Sequence, residues 1–106
     1  MFDKAALFAA LKPKTSKVTI DGFGELTLRQ LSVAEVESVR AKLKDDKESN
    51  RFGIGMVVMS VIDDDGVAVF SDADVPELIA SGNAAIDILV SQTLTLNGFI
   101  KAEAKN

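Results

Sequence analysis

From Arg51 to Ile62 the chain reads RFGIGMVVMSVI, an apolar run whose one charge stands at its start. A run like this has to be buried on nearly every side, so it sets where the core lies. Periodicity does not separate a buried helix from a buried strand here. Its length favours helix, whereas its valines, isoleucines and paired glycines favour strand. The expectation is a helix over 52–62. This stretch is too short to cross a bilayer, and so is the other long charge-free stretch, 88–100.

The rest of the chain has to wrap that run. At 106 residues it has the length of one domain, and 47% hydrophobic residues suffice for one core. A domain of this length buries roughly 65% of the surface of its unfolded chain. Cysteine and histidine are absent. Disulfides, thiol nucleophiles, zinc fingers and Ser-His or Cys-His catalysis are thereby excluded. No enzyme and no cofactor is expected. Tryptophan and tyrosine are absent too, and six phenylalanines make a thin platform for stacking nucleic-acid bases. The net charge of −4 is unevenly spread. Residues 1–53 hold ten Lys/Arg against eight Asp/Glu, and residues 54–106 hold two against eight. An acidic surface of that kind repels phosphate backbones, so no nucleic-acid partner is expected. Asp3 and the brief apolar run Ala5–Leu11 do not form a signal-peptide pattern, which gives a cytoplasmic expectation.

Residues 2–11, FDKAALFAAL, favour helix, and Pro13 ends it by forcing Lys12 out of the helical region. A basic linker, KPKTSK, completes an N-terminal segment of residues 1–16. KVTI and ELTLRQ are alternating runs around DGFG, the pattern of a β-hairpin. Ser32 followed by Glu35 is a capping box, and the helix it opens runs from about Val33 to Leu43. Val33, Val36, Val39 and Leu43 supply its apolar face, and KDDKESN after it reads as a solvated loop. Beyond the central run come an Asp-rich turn, the short run VAVF, and a helix through VPELIA. That helix is capped by Ser71 or Asp72, has Pro76 in its first turn and stops at Gly82. The last helix spans about Asn83 to Asn97, with Ile86, Leu89, Val90, Leu96 and Ile100 along one side. Residues 99–106 form a flexible tail. The fold class expected is α+β: a small β-hairpin packed against a mainly helical bundle of about four helices, one domain over 1–106.

The Asp-rich stretch IDDDGVAVFSDAD invites a calcium-loop reading. An EF-hand loop needs oxygen ligands at positions 1, 3 and 5, glycine at 6 and a bidentate Glu at 12. With Gly66 at position 6, Asp63 and Asp65 fall at 3 and 5, but position 1 is Val61 and position 12 is Asp72. The stretch reads as a turn and not a metal site.

Taken in order, these elements resemble the tail assembly chaperones of long-tailed, lambda-like bacteriophages. The residues that carry the resemblance are Gly22, Gly24, Arg29, Leu31, Ser32 and Glu35 in VTIDGFGELTLRQLSVAEVESV. To these are added the acidic turn with its V-F run in VIDDDGVAVFSDADVPELI, and Leu96, Asn97 and Gly98 closing the last helix. The likeness spans about residues 17–98, and the order of the motifs carries it more than any one of them. It implies a chaperone made in the host cell cytoplasm and absent from the finished virion. Such a chaperone coats the tape-measure protein, associates with its own copies and helps recruit tail-tube protein. The alternatives are a structural minor tail or tail-completion protein, or a small regulatory adaptor. A gene placed just ahead of a very long tape-measure gene is the sign of the chaperone.

For partner contacts the candidates are Met56 and Met59, whose side chains adapt to varied surfaces, and Phe99 and Ile100 beyond the last helix. The resemblance also implies a longer form made by −1 ribosomal frameshifting. Ala104-Lys105-Asn106 is compatible with a slippery A AAA AAC heptamer, and synonymous recoding of these codons would abolish such a product.

Overall fold

The computed structural model describes residues 1–42 and 50–100. The chain is α+β, and the described residues form a three-stranded antiparallel sheet and five α-helices. The elements run α1 (Lys4–Leu11), β1 (Thr15–Ile20), β2 (Gly24–Arg29), α2 (Val33–Lys42), α3 (Asn50–Ser60), β3 (Val61–Ile62), α4 (Val75–Ala80) and α5 (Asn83–Leu96), with a 3-10 turn Asp72–Asp74 leading into α4.

The central run takes both of the conformations that its composition allows. It is helical as far as Ser60, and Val61 and Ile62 then leave the helix directly as a strand. β3 adds to the free edge of β2 in the order β1-β2-β3, pairing Val61 with Leu28 and Ile62 with Thr27. Val18, Leu28, Val57, Val61 and Leu89 make the main core where the sheet meets α3 and α5. A second cluster, Leu31, Val39 and Met56, joins α2 to α3, and a third, Ile54, Val58 and Leu78, joins α3 to α4. α3 takes part in all three, which is why the apolar run around it has no polar face.

The hairpin follows its alternation. Val18 stands opposite Leu26; Val18 and Leu28 are buried, Ile20 and Leu26 pack half-buried against the same core, and Lys17, Thr19 and Glu25 are exposed. Gly22 and Gly24 both have positive φ, at 87° and 119°, so the turn holds Phe23 out between them, 72% exposed. The hairpin begins earlier than its sequence suggests. Thr15 and Ser16, assigned to the basic linker, pair with Arg29 and Leu28, and only residues 12–14 connect α1 to the sheet.

Further differences concern helix faces and ends. Val33, expected in the apolar face of α2, is 76% exposed, because it occupies the first turn before the helix meets α3. Leu43, residues 44–49 of the loop KDDKESN and the tail beyond Ile100 lie outside the described residues, and Asn50, the last residue of that expected loop, opens α3. Gly82 does not stop α4 in a left-handed conformation. Ser81 is the C-cap, and Gly82, at φ −60°, is the N-cap of α5, so the caps of the two helices are adjacent residues. The run VAVF forms no full strand, only a bridge from Ala68 to Ile62.

The Asp-rich stretch is held by its own backbone. The Asp63 carboxylate accepts hydrogen bonds from the N–H groups of Asp65 at 2.8 Å and Val67 at 3.0 Å, and Gly66 turns the chain at φ 81°. One carboxylate oxygen is thus already used in closing the turn. Melting curves recorded with excess calcium and with a chelator are expected to coincide, whereas a ligand of the native state would raise the midpoint.

Candidate functional site

Part of the motif set behind the phage resemblance, Arg29, Leu31, Ser32 and Glu35 with Leu96, Asn97 and Gly98, meets at one corner of the molecule, while Gly22 and Gly24 lie in the hairpin turn at the other end of β2. Arg29, at the end of β2, donates from both guanidinium nitrogens to both Glu35 oxygens, each at 2.9 Å. Glu35 Oε1 also accepts from the Ser32 N–H at 2.9 Å, and Ser32 Oγ accepts from the Glu35 N–H at 3.1 Å, completing the capping box. On the other side Asn97 Oδ1 accepts from the Leu31 N–H at 2.7 Å, and Gln30 Nε2 donates to the Leu96 carbonyl at 3.0 Å. Gly98, at φ 84°, ends α5 in a Schellman motif: its N–H meets the Thr95 carbonyl, and the Phe99 N–H meets that of Leu94. These side chains fasten the hairpin, the start of α2 and the end of α5 to one another. Their polar groups are engaged inside the chain.

The Glu35 carboxyl is held at about 2, below its ordinary 4.5, first by the hydrogen bonds from Arg29 and then by the Ser32 N–H, against an opposing effect of burial. A carboxyl whose folded value is depressed contributes stability above its unfolded value and loses it as pH falls through the folded one. The contribution is therefore full above about pH 4.5 and fades toward pH 2. With Glu35 31% exposed, solvent screening reduces it to about 1–2 kcal/mol. Glu35→Gln is expected to lose that amount in urea unfolding near neutral pH. Its gap from the parent chain should narrow steadily below about pH 4, and a gap independent of pH would refute the assignment.

Of the four partner-binding candidates, Met56 is corrected by the structure. It is 0% exposed, packed with Leu31 and Val39, and reaches no partner. The adaptable methionine side chain suggested a contact surface, but the all-round apolar helix is buried on the face that Met56 occupies, as such a run requires. Met59 is half-buried against the same cluster and lines a groove between α2, α3 and the Asp72 turn. Phe99 and Ile100 remain about 42% and 43% exposed. The Schellman turn sets Phe99 edge-on to Phe52 of α3, with ring centroids 5.3 Å apart. The Arg40 guanidinium of α2 lies 5.6 Å from both ring centres. The result is a partly exposed aromatic pair under an arginine, continued by Ile100. Aromatic and Arg groups of this kind dominate binding energy in protein interfaces.

Two apolar features escaped the sequence reading. One is an open groove of about 450 Å³ between α3 and the α4–α5 pair, lined by Ile54, Leu78, Ile79, Ile86 and Val90 among others. The other is α1, in which every residue is exposed. The spacing of Leu7, Phe8 and Leu11 was the available signal, since it puts three large apolar side chains on one stripe. Among the described residues no helix is long and apolar enough to cross a membrane.

Comparison with protein-family models, with curated proteins and with solved structures found no match.

Proposed function

We propose that this protein is a phage tail assembly chaperone, which coats the tape-measure protein and helps recruit tail-tube subunits before leaving the finished particle. It works in the host cytoplasm by binding and not by catalysis. The observation that carries the reading is the Phe52–Phe99–Ile100 patch beneath Arg40, an exposed apolar surface at the end of α5. A tape measure is a long amphipathic helical chain that aggregates while unsheathed. Its apolar stripe is the kind of surface that such a patch accepts, in the manner of a helix laid against a hydrophobic face. Contacts through a few side chains per copy are individually weak. Many copies along one chain supply avidity, and weak contacts allow displacement when tube protein polymerises. The motif order supports the same reading, from the Gly22–Gly24 turn through the Ser32–Glu35 box to Leu96-Asn97-Gly98.

Mass spectrometry tests this against a structural role in the virion. The chain is expected in lysates of cells assembling tails and absent from purified particles. Finding it at stoichiometric levels in purified particles would make it a tail component instead.

A further inference from the structure

We infer that α1 is a membrane-contacting element, a short apolar helix collared by lysines that enters the surface layer of an anionic lipid bilayer. The inference does not rest on the chaperone reading. It is tested on the purified chain with lipid vesicles, so either can fail without the other.

The helix is apolar on every side and covered on none. In KAALFAAL every residue after Lys4 is Ala, Leu or Phe, and none of the eight is buried. A helix without a polar face normally lies in a core. Here Leu7, Phe8 and Leu11 are 42%, 60% and 63% exposed, and Phe2 just ahead of them is 79% exposed. A groove on a protein covers one stripe of a helix, whereas lipid tails close around the whole of it. Eight residues at a rise of 1.5 Å make a helix about 12 Å long, well short of the roughly 30 Å hydrocarbon layer. The contact is therefore interfacial.

The ends of α1 are prepared for such a medium. Lipid offers no partner to the open N–H and carbonyl groups that every helix leaves at its ends. At the start the Asp3 carboxylate accepts from the Ala6 N–H at 3.1 Å, and the Asp3 carbonyl accepts from the Leu7 N–H. At the finish the Lys12 N–H donates to the Ala9 carbonyl, and Lys14 Nζ donates to the Ala10 carbonyl at 2.9 Å.

Charge selects an anionic surface. Residues 1–17 carry Lys4, Lys12, Lys14 and Lys17 against Asp3 alone, and all four lysines are exposed. The other described residues carry four Lys/Arg against eleven Asp/Glu. The basic charge of this acidic chain is thus gathered around its one uncovered apolar helix. Lysines beside an inserted segment lay their stems along the apolar layer and keep their ammonium groups among the headgroups. An anionic bilayer attracts the lysine collar and repels the acidic body, so the chain meets it with α1 foremost.

The test is co-sedimentation of the full chain with vesicles of three parts phosphatidylcholine to one part phosphatidylglycerol, and with vesicles of phosphatidylcholine alone. The parent chain should partition onto the mixed vesicles, weakly or not at all onto the neutral ones, and less as salt is raised. Phe8→Glu should lower the partition more than tenfold, and Lys12→Gln and Lys17→Gln should each lower it about fivefold. Phe23→Glu is the control, because Phe23 is 72% exposed on the hairpin turn and lies outside α1, so this variant should bind as the parent does. All four substitutions are at exposed positions, and the variants are expected to keep the parent's circular dichroism and melting midpoint within a few degrees. A parent chain that stays in the supernatant would overturn the inference and leave α1 to a protein partner. Equal binding to neutral vesicles would also overturn it, and so would a Phe23→Glu variant weakened as much as Phe8→Glu.

Discussion

Leu28→Ala is expected to lower the stability of this protein by about 2–5 kcal/mol, the range for deleting a buried leucine side chain without collapse of the site. Leu28 is 1% exposed on the central strand, opposite Ser16 on one side and Val61 on the other. Its side chain packs with Val18, Val57, Val61 and Leu89, so the hairpin, α3, β3 and α5 all border the space it would vacate. Four elements cannot close on one cavity together, and the cost should fall in the upper part of that range. For a domain of this size each 1 kcal/mol moves the melting midpoint by about 4–8 °C, so a fall of more than about 10 °C is expected in a thermal scan. A loss below about 1 kcal/mol would mean that the sheet and α3 do not share the core described.

Gly55→Leu is expected to be damaging, by a smaller amount, for the opposite reason. A β-carbon at Gly55 would lie 2.8 Å from Val39 Cγ1, and Val39 is 2% exposed with no free side to turn toward. A leucine there forces α2 away from α3. Overpacking of this kind costs about 1–3 kcal/mol and occasionally more, against about 1 kcal/mol regained in helix propensity on replacing glycine. A net loss of up to about 2 kcal/mol is expected from denaturant midpoints, together with disturbance of the Arg40–Phe52 contact carried by the same two helices. Gly82→Ala is the control. No atom lies within 4 Å of its β-carbon position and its φ is −60°, so its effect should stay within about 0.5 kcal/mol. Equal losses at the two glycines would contradict the close approach of α2 and α3.

The parts legible in the sequence are those set by local chemistry. The glycines of DGFG, the Ser32–Glu35 box, Pro13 after α1 and Gly98 after α5 each act within a few residues, and each stands where its pattern suggests. The central run was ambiguous because full burial erases periodicity, and the chain resolves the ambiguity by changing conformation at Val61. Val33 and Gly82 were misjudged because their roles depend on which neighbour arrives. α3 meets α2 only beyond its first turn, and α5 begins at once where α4 ends. The binding surface was the least legible. Met56 and Phe99 are alike in apolar character, and only tertiary packing buries the one and leaves the other partly exposed. The α1 stripe was visible as spacing, but its exposure is a matter of tertiary packing that no local rule describes.

The central claim, that this chain sheathes a tape-measure protein, is tested most directly by co-expressing it with the very long protein expected to be encoded beside it. The account predicts that the long protein stays soluble and purifies with many copies of this chain on each molecule. It also predicts that Phe99→Glu combined with Ile100→Glu lowers that number sharply while leaving this chain folded. A tape measure that is equally soluble alone, or that binds the double variant as fully as the parent, would contradict it.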